Sequence, residues 1–565
     1  MKSEKTHALL NERISQIEHS YEPLGVKYSE MAGSDVIDSL ISHRLFSKFS
    51  DIQADPNRSQ RSIESMLSYD SDGLTAFEPA TMVLPQEVRH TIYNARKHLH
   101  EVLSTFRILY DSVGFPSGES YDSSKGDTSL VAKLRDVKHW KVTPDAFNFF
   151  ARICYETRWL KQCAKSHMSG FTKDQNRSLW LEFGDAFCVF REKLRSVVTF
   201  WYGSRLATVP KNNDVDRVIE VECMCNMICQ RTIGNSLRVH YRKVYGVDLQ
   251  EAQFLHQQLI ADHENATIDF SNASNSNWTA LIRWFFPKAL FRRLWETRAH
   301  VVSYCGEYYP LNMLAPMGNG YTFEVMTFFL TGVARYLDSH AHVFGDDVII
   351  HRDVAEHYIS TMTHLGWVVN EKKTFVAGKF RESCGAFHHE DVGYIRSFDF
   401  HWCEDDADAM VLLNKIFVLN EAYPEVPIVQ KLMNIRKDIL SSVPAHALRT
   451  SQITGDVRVP WYAIELNKGF FCTPSYLKRR RRTCSRTQSL YKRHKSAIME
   501  MRRNLQDKTY DLLYIPVKYR EVYRSCPKDN VQSKFWIAYY LWTGRCNPPQ
   551  RGKVRVKYEL SICVV

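Results

Sequence analysis

The stretch HVFGDDVII, residues 342–350, decides how this chain is read. Two adjacent carboxylates, Asp346 and Asp347, follow Gly345 and lie between two β-branched or aromatic runs, Val343–Phe344 and Val348–Ile350. The pattern predicts a β-hairpin with the acids at its tip. Along a regular strand, neighbouring side chains point to opposite faces, so two consecutive Asp residues reach one site only where a turn breaks the alternation. Gly345 supplies the backbone freedom for that turn, and both carboxylates are then expected to lean towards a common centre. Two anions held close together raise each other's pKa unless cations neutralise them. Hard divalent cations with oxygen ligands, Mg²⁺ or Mn²⁺, suit such a pair. A Gly-Asp-Asp tripeptide arises by chance about one time in ten in a chain of this length at average composition. The flanking sequence therefore has to decide between a metal-binding tip and a solvated turn.

Upstream, ATIDFSNASNSNW (266–278) reads as a short strand, Ala266–Phe270, followed by a Ser/Asn-rich turn into a helix near Trp278. Asp269 falls at the strand's C-terminal end, the usual place for a ligand in a helix-covered sheet, and a buried Asp there needs a partner. Between these acids, LAPMGNGYTFEVMTFFLTGVARYL (314–337) is a Gly-rich loop leading into a helix. The helix has a core stripe of Phe323, Met326, Phe329, Leu330, Val333 and Leu337. Gly318 and Gly320 flank Asn319, where missing side chains permit close backbone approach to a ligand. After the hairpin, GWVVNEKKTFVAGKFRESCGAF (366–387) predicts a strand, a turn carrying Lys372 and Lys373, and a further strand around residues 380–385. Further upstream, YGSRLATVPKNNDVDRVIEVE (202–222) spaces Arg205, Lys211 and Arg217 six apart around a Pro-Lys-Asn-Asn turn. That spacing favours an extended ribbon over a helix, and such a ribbon can line a channel for a triphosphate.

The whole chain has 565 residues, enough for several domain-sized units, with 74 Lys plus Arg against 63 Asp plus Glu and a net charge of +11. That excess suits a polyanionic partner. The 14 cysteines form no CxxC pair, which points to a reducing compartment over a disulfide scaffold. Cys223, Cys225 and Cys229, set among Met and Ile, read as core positions of a helix and imply no structural zinc. His340 and His342 read as ordinary histidines in place of metal ligands. The N-terminus is charged and amphipathic, unlike a signal peptide, and no run of 18 apolar residues predicts a membrane span. Residues up to about 201 are helical in period, as are 407–422 and 429–440. The densest basic run, YLKRRRRTCSRTQSLYKRHK (476–495), reads as a phosphate-tracking patch if the chain handles nucleic acid. The end, KVRVKYELSICVV, alternates like a strand.

Taken in order, VPKNNDVDR, IDFSNASNS, MGNGYTFE, FGDDVII and KKTFVAGKFRESCG resemble the replicase of the positive-strand RNA bacteriophages, the levivirus group. The resemblance runs from about Tyr202 to Arg396. It implies an α+β right-hand polymerase fold with fingers, an antiparallel-sheet palm and a helical thumb. The expected division is an N-terminal helical region with fingers and part of the palm (1–201), fingers with the basic NTP ribbon (202–265), palm (266–400, with a fingers insertion at about 283–312), and thumb with the C-terminal basic region (401–565). The resemblance implies an RNA-directed RNA polymerase that joins NTPs to a 3′-hydroxyl on a single-stranded RNA template and releases pyrophosphate. Asp269, Asp346 and Asp347 would hold two Mg²⁺ ions, with Mn²⁺ as a substitute. Arg205, Lys211 and Arg217 would cradle the triphosphate, Gly318, Asn319 and Gly320 would border it, and Glu222 matches the family's acid just after the ribbon. Lys372 or Lys373 would protonate pyrophosphate, the sequence leaving the choice open.

Two positions depart from the family pattern. Asn275 stands where the family has a second Asp that reads the ribose 2′-hydroxyl, and an amide can still donate or accept there. Ala315 and Pro316 replace two serines before MGNG, which stiffens that loop. A reverse transcriptase shares the palm, but Gly345 before the acids and the absence of a bulky gate at Ser274–Asn275 favour ribonucleotides. A non-catalytic RNA-binding protein on a decayed palm is the other rival, opposed by retention of all three carboxylates. By resemblance the partners are template and nascent RNA, NTPs, host elongation factors Tu and Ts and a ribosomal protein, met in the cytoplasm of a bacterial host.

Overall fold

The computed structural model describes residues 6–18, 22–50, 55, 57–72, 82–110, 112–115, 119–121, 140–168, 170–403 and 406–440, and a strand pair at Leu448–Arg449 and Leu512–Leu513. The basic run at 476–495 and the alternating segment 553–565 lie outside the described residues. No helix among the described residues is long and apolar enough to cross a membrane.

The 202–222 segment folds as the expected ribbon, β1 (Ser204–Pro210) against β2 (Asp216–Val221), in antiparallel register from Arg205↔Val221 to Pro210↔Asp216. Its tip is fastened on two sides. The Arg58 guanidinium pairs with the Asp216 carboxylate at 2.7 Å inside the protein. The Asn213 amide donates to the Phe46 carbonyl at 2.8 Å. An isolated two-stranded ribbon is marginal in water, so these ties do much to hold its basic turn in place.

The segment expected to be one strand is two, β3 (Asn265–Ile268) and β4 (Phe270–Ser271), with Asp269 at the break. β5 (Val301–Tyr304) and β6 (Glu307–Pro310) extend the ribbon into a four-stranded sheet of order β2-β1-β5-β6. The hairpin is β7 (His342–Phe344) and β8 (Asp347–His351), paired Asp347↔Phe344 and Val348↔Val343 across a two-residue turn. β8 also pairs with β3 through Val348↔Ile268, giving a central antiparallel sheet of order β3-β8-β7. β9 (Val368–Val369) pairs with β4 instead, so the chain changes sheets at Asp269. A meander of β10 (Phe380–Ser383), β11 (Ala386–His389) and β12 (Gly393–Ile395) follows.

Among the described residues, helices cover these sheets around two cores. In the larger, α3 (Gln86–Leu103) and the helices at Met224–Tyr245 and Thr322–Leu337 pack on the central sheet. Numbered in chain order with α1 (Gly33–Phe46) and α2 (Arg58–Asp72), the latter two are α4 and α5. The stripe read from 314–337 is buried as expected at Phe329, Leu330 and Val333, while Phe323 and Leu337 are half-buried. Each such fully buried side chain contributes about 1.5–3 kcal/mol. Cys223, Cys225 and Cys229 are buried at the start of α4, matching their reading as core.

The second core joins distant parts of the chain. Leu40, Ile41 and Leu45 of α1 meet Leu413, Ile416 and Leu419 of α6 (Asp406–Ala422) and Val429 and Leu432 of α7 (Pro427–Leu440). Asn11 and Cys403 exchange two hydrogen bonds there, at 2.9 and 3.1 Å. The helices around residues 407–422 and 429–440 thus form where the sequence predicted them.

Candidate active site

Asp269 leaves the central sheet at the end of β3, and nearby backbone fixes it. Its carbonyl accepts from the Asn370 N–H at 2.9 Å, its Oδ2 from the Asn370 side-chain amide at 2.7 Å, and its own N–H donates to Thr374 Oγ1 at 3.2 Å. Asp346 occupies the second position of the hairpin turn. The first, Gly345, has φ +66° and a Cβ there would lie 3.0 Å from the Phe323 ring, so both backbone angle and space call for glycine. The Gly345 N–H donates to Thr327 Oγ1 at 3.1 Å, which ties the turn to α5. Asp269 and Asp346 line one cleft of about 710 Å³.

Asp347 behaves differently from its neighbour, which corrects the expectation that both acids lean into one centre. Only Gly345 and Asp346 escape the ladder; Asp347 is already paired as the first residue of β8. Its carboxyl accepts from the Cys384 backbone and does not line the cleft. Burial, with the charges of Glu382, Asp346 and Asp269, pushes its pKa up to about 8. Burial likewise pushes Asp269 up to about 6, against the pull of Lys373.

Lys373 stands 3.9 Å from Asp269 Oδ2 and 3.9 Å from Glu382 Oε2. The Glu382 carboxylate, outweighing burial, holds its ammonium above the ordinary lysine range. Of the two lysines left open by the sequence, Lys373 lines the cleft and Lys372 is exposed outside it. The donor chemistry fits a hard divalent ion, with buried carboxylates and a bare Glu382 Oε2. The arrangement falls short of a metal centre, because no three His, Cys, Asp or Glu side chains among the described residues group closely enough to hold one ion. Asp269 is held by Asn370 and lies near Lys373, and Asp347 accepts from the Cys384 backbone.

Further cations line the same cleft. Lys211 and Arg217 from the ribbon face the cleft as expected, but Arg205 does not. It lies at the far end of β1 and pairs with Glu119 at 3.0 Å. Two cations not singled out from sequence take part in the lining, Arg61 of α2 and Arg231 of α4. Arg231 breaks an otherwise buried helical run, CMCNMICQR, and that interruption is the one sequence signal for it.

The Gly-rich loop borders the cleft at Gly318, Asn319 and Gly320, yet its glycines serve the protein's own packing, not approach to a ligand. A Cβ on Gly318 would lie 2.2 Å from the Glu220 carbonyl, and one on Gly320 would lie 2.9 Å from the Arg231 nitrogen. Asn319 donates its amide to Glu222 at 3.1 Å. Glu222 is fully buried away from the cleft, accepting also from Gln230 at 2.7 Å and the Ala299 N–H at 2.8 Å. Burial and neighbouring Glu220 push it up to about 8, so it is a structural anchor of the loop. Asn275 lines the cleft beside Ser274, its N–H bonded to the Asn272 carbonyl at 2.8 Å.

A strand-end Asp beside a Gly-Asp-Asp hairpin on an antiparallel sheet, roofed by a basic ribbon and backed by helices, defines the α+β polymerase fold of the right-hand class. The chain belongs to the family described as RNA replicase, beta-chain, whose profile matches residues 78–528. It is 34% identical over 224 residues to the RNA-directed RNA polymerase beta chain of Escherichia phage MS2, covering 38% of this chain and 41% of that one. The beta chain of Enterobacteria phage fr is 33% identical over 223 residues, covering 38% of this chain and 41% of its own. The subunit beta of Escherichia virus Qbeta is 32% identical over 235 residues, covering 38% of each chain. The chain thus spans about two fifths of the length of the curated relatives it matches, 41% in the MS2 case. Among solved structures, the RNA-dependent RNA polymerase of a human picobirnavirus, as an insertion-loop deletion mutant, aligns over 78% of this chain and 92% of its own at 11% identity and a TM-score of 0.31.

Proposed function

We propose that this chain is an RNA-directed RNA polymerase that copies single-stranded phage RNA, transferring nucleotides from NTPs to a 3′-hydroxyl. The observation that carries the reading is the shared cleft, with Asp269 and Asp346 facing Lys211, Arg217 and Arg231. In phosphoryl transfer the protein positions and neutralises more than it forms covalent bonds, and this distribution of charge serves both tasks. Lys211, Arg217 and Arg231 hold the triphosphate, Arg by bidentate contacts. Asn275 and Ser274 present polar groups to the ribose, and Lys373 stands by the acids as the proton donor to the leaving pyrophosphate. Asp269, Asp346 and Asp347 would hold the Mg²⁺ ions. Bound there, such ions supply Lewis-acid activation of the hydroxyl and neutralisation of the leaving group. The central sheet is the palm, the ribbon and N-terminal helices the fingers, and the helices from residue 406 onward the thumb.

The test is RNA synthesis by the purified full chain on a single-stranded RNA template with Mg²⁺ and either NTPs or dNTPs, with and without bacterial host extract. Incorporation of NTPs is expected, and its dependence on extract measures the contribution of host elongation factors Tu and Ts and a ribosomal protein. Asp346→Asn should abolish incorporation while leaving RNA binding intact. Preferential use of dNTPs would favour a reverse transcriptase, and RNA binding without synthesis in both arms would favour a non-catalytic protein.

A further inference from the structure

Glu382 is a carboxylate that the reading above does not employ. It lies on β10 with its side chain 3% exposed, among strand residues that are all buried. Its Oε1 accepts from the Gly385 N–H at 3.3 Å, whereas Oε2 is buried with no hydrogen-bond partner among the described residues. A bare carboxylate oxygen inside a protein is costly unless a cation neutralises it. The cation that Oε2 faces is Lys373, at 3.9 Å, and the same ammonium stands 3.9 Å from Asp269 Oδ2. Both separations exceed a hydrogen bond, so the ammonium is balanced between two carboxylates and committed to neither. Asp269 has its second tie through Asn370, and Glu382 through Gly385, so neither acid can move far towards the lysine. The Lys373 side chain, by contrast, is 43% exposed and carries its ammonium on a flexible four-carbon stem.

We infer that Lys373 is a resident counter-cation shared by Asp269 and Glu382, and that Glu382 is a positioning residue that takes the ammonium when a divalent cation claims Asp269. This rests on the proposed polymerase site. Lys373 and a divalent ion compete for the same Asp269 oxygen, and Glu382 sets the terms of that competition by offering the ammonium a second berth. The unpartnered Oε2 is the vacant half of that berth.

A double-mutant cycle read by Mn²⁺ binding tests the inference. Free Mn²⁺ is followed by electron paramagnetic resonance with the full chain and no nucleotide, and each variant's folding is checked by melting in EDTA. Lys373→Met should bind Mn²⁺ about tenfold more tightly than wild type and melt at a lower temperature in EDTA, while Lys373→Arg, which keeps the charge, stays within about twofold of wild type. Glu382→Gln should weaken Mn²⁺ binding about tenfold in the wild-type background but less than about twofold alongside Lys373→Met. A Glu382→Gln effect of equal size in both backgrounds, or a Lys373→Met variant that binds Mn²⁺ no more tightly, overturns the inference; if Lys373→Met does not fold, Lys373→Gln takes its place in the cycle. If the wild type synthesises RNA and binds Mn²⁺ but the cycle is additive, this inference alone fails. If the wild type neither binds Mn²⁺ nor synthesises RNA, the polymerase reading fails with it.

Discussion

Asn370 grips Asp269 at two points, its N–H on the Asp269 carbonyl at 2.9 Å and its side-chain amide on Oδ2 at 2.7 Å. The first contact fixes the backbone where the chain changes sheets, and the second aims the carboxylate. Groups that orient a ligand in this way are worth about 10–100-fold in metal affinity or activity when removed. Asn370→Ala should therefore lower the rate of nucleotide incorporation by about 10–100-fold and raise the Mg²⁺ concentration needed for half-maximal rate. Circular dichroism should be unchanged, since the backbone contact survives. An unaltered Mg²⁺ requirement would count against an orienting role.

Arg231 and Arg205 make a matched pair of controls. Arg231 lines the cleft, while Arg205 is spent on Glu119 at 3.0 Å. Arg231→Ala should raise the KM for NTPs by about tenfold or more, the worth of a charge-assisted contact to phosphate. For Arg205→Ala the expected change is under about twofold, as a part-exposed ion pair contributes little. Steady-state kinetics on both variants decides it, and the reverse ranking would restore Arg205 to the triphosphate path.

Gly318 has φ +106°, and a Cβ there would meet the Glu220 carbonyl at 2.2 Å. Backbone strain and overpacking then add, so Gly318→Ala should cost about 2–4 kcal/mol. Thermal melting should register the loss even without any substrate. A variant that melts like wild type but binds NTPs poorly would mean that the glycine admits a ligand after all.

His256 gives the site a pH sensitivity. It is fully buried, bonds Ser383 through Nδ1 at 2.9 Å, and packs its ring edge against Phe344 of the hairpin. Burial, with His342 nearby, lowers its pKa from 6.5 to about 3. The unfolded chain therefore takes up a proton that the folded chain refuses, and stability present above pH 6.5 is lost as pH falls towards 3. Wild type should lose about 1.4 kcal/mol per pH unit relative to His256→Gln below pH 6. Denaturation curves of both proteins at pH 7.5, 6 and 5 measure this, and parallel losses would exclude His256 as the source.

The hairpin was legible because a period of two, broken by glycine, has few other meanings, and the ribbon for the same reason. Asp269 was legible as a strand-end acid, but the change of sheet at that residue was not. A run such as Ala-Thr-Ile-Asp-Phe carries no mark of which partner each half will choose, since pairing is set by distant strands. The glycines of Met-Gly-Asn-Gly announced close approach without saying to what, and here the approaching groups are the Glu220 carbonyl and the Arg231 nitrogen. Glu382 lay in plain view in FRESCG, beside Arg381. Alternation argues that one of two neighbouring charges on a strand should face water, yet both are buried, Arg381 satisfied by carbonyls such as those of Asn265 at 2.7 Å and Gly378 at 2.8 Å. The charge that interrupts CMCNMICQR marks Arg231 as facing away from the core, but that it faces the cleft depends on how α4 crosses the sheet.

The second core has a consequence for how the protein comes into being. Asn11 and Leu40 leave the ribosome early, but their partners at Cys403, Leu413 and Leu432 emerge some 390 residues later, the Asn11–Cys403 separation being 392. At about 5–20 residues per second, that interval is roughly 20–80 s. For that time the apolar face of α1 waits without its mate. Asn213 of the ribbon is tied to the Phe46 carbonyl at the end of α1, so the basic turn rests on a helix whose apolar face is covered by α6 and α7. A chain cut short before residue 403 would carry all the acids of the cleft and still lack the scaffold that holds its roof in place.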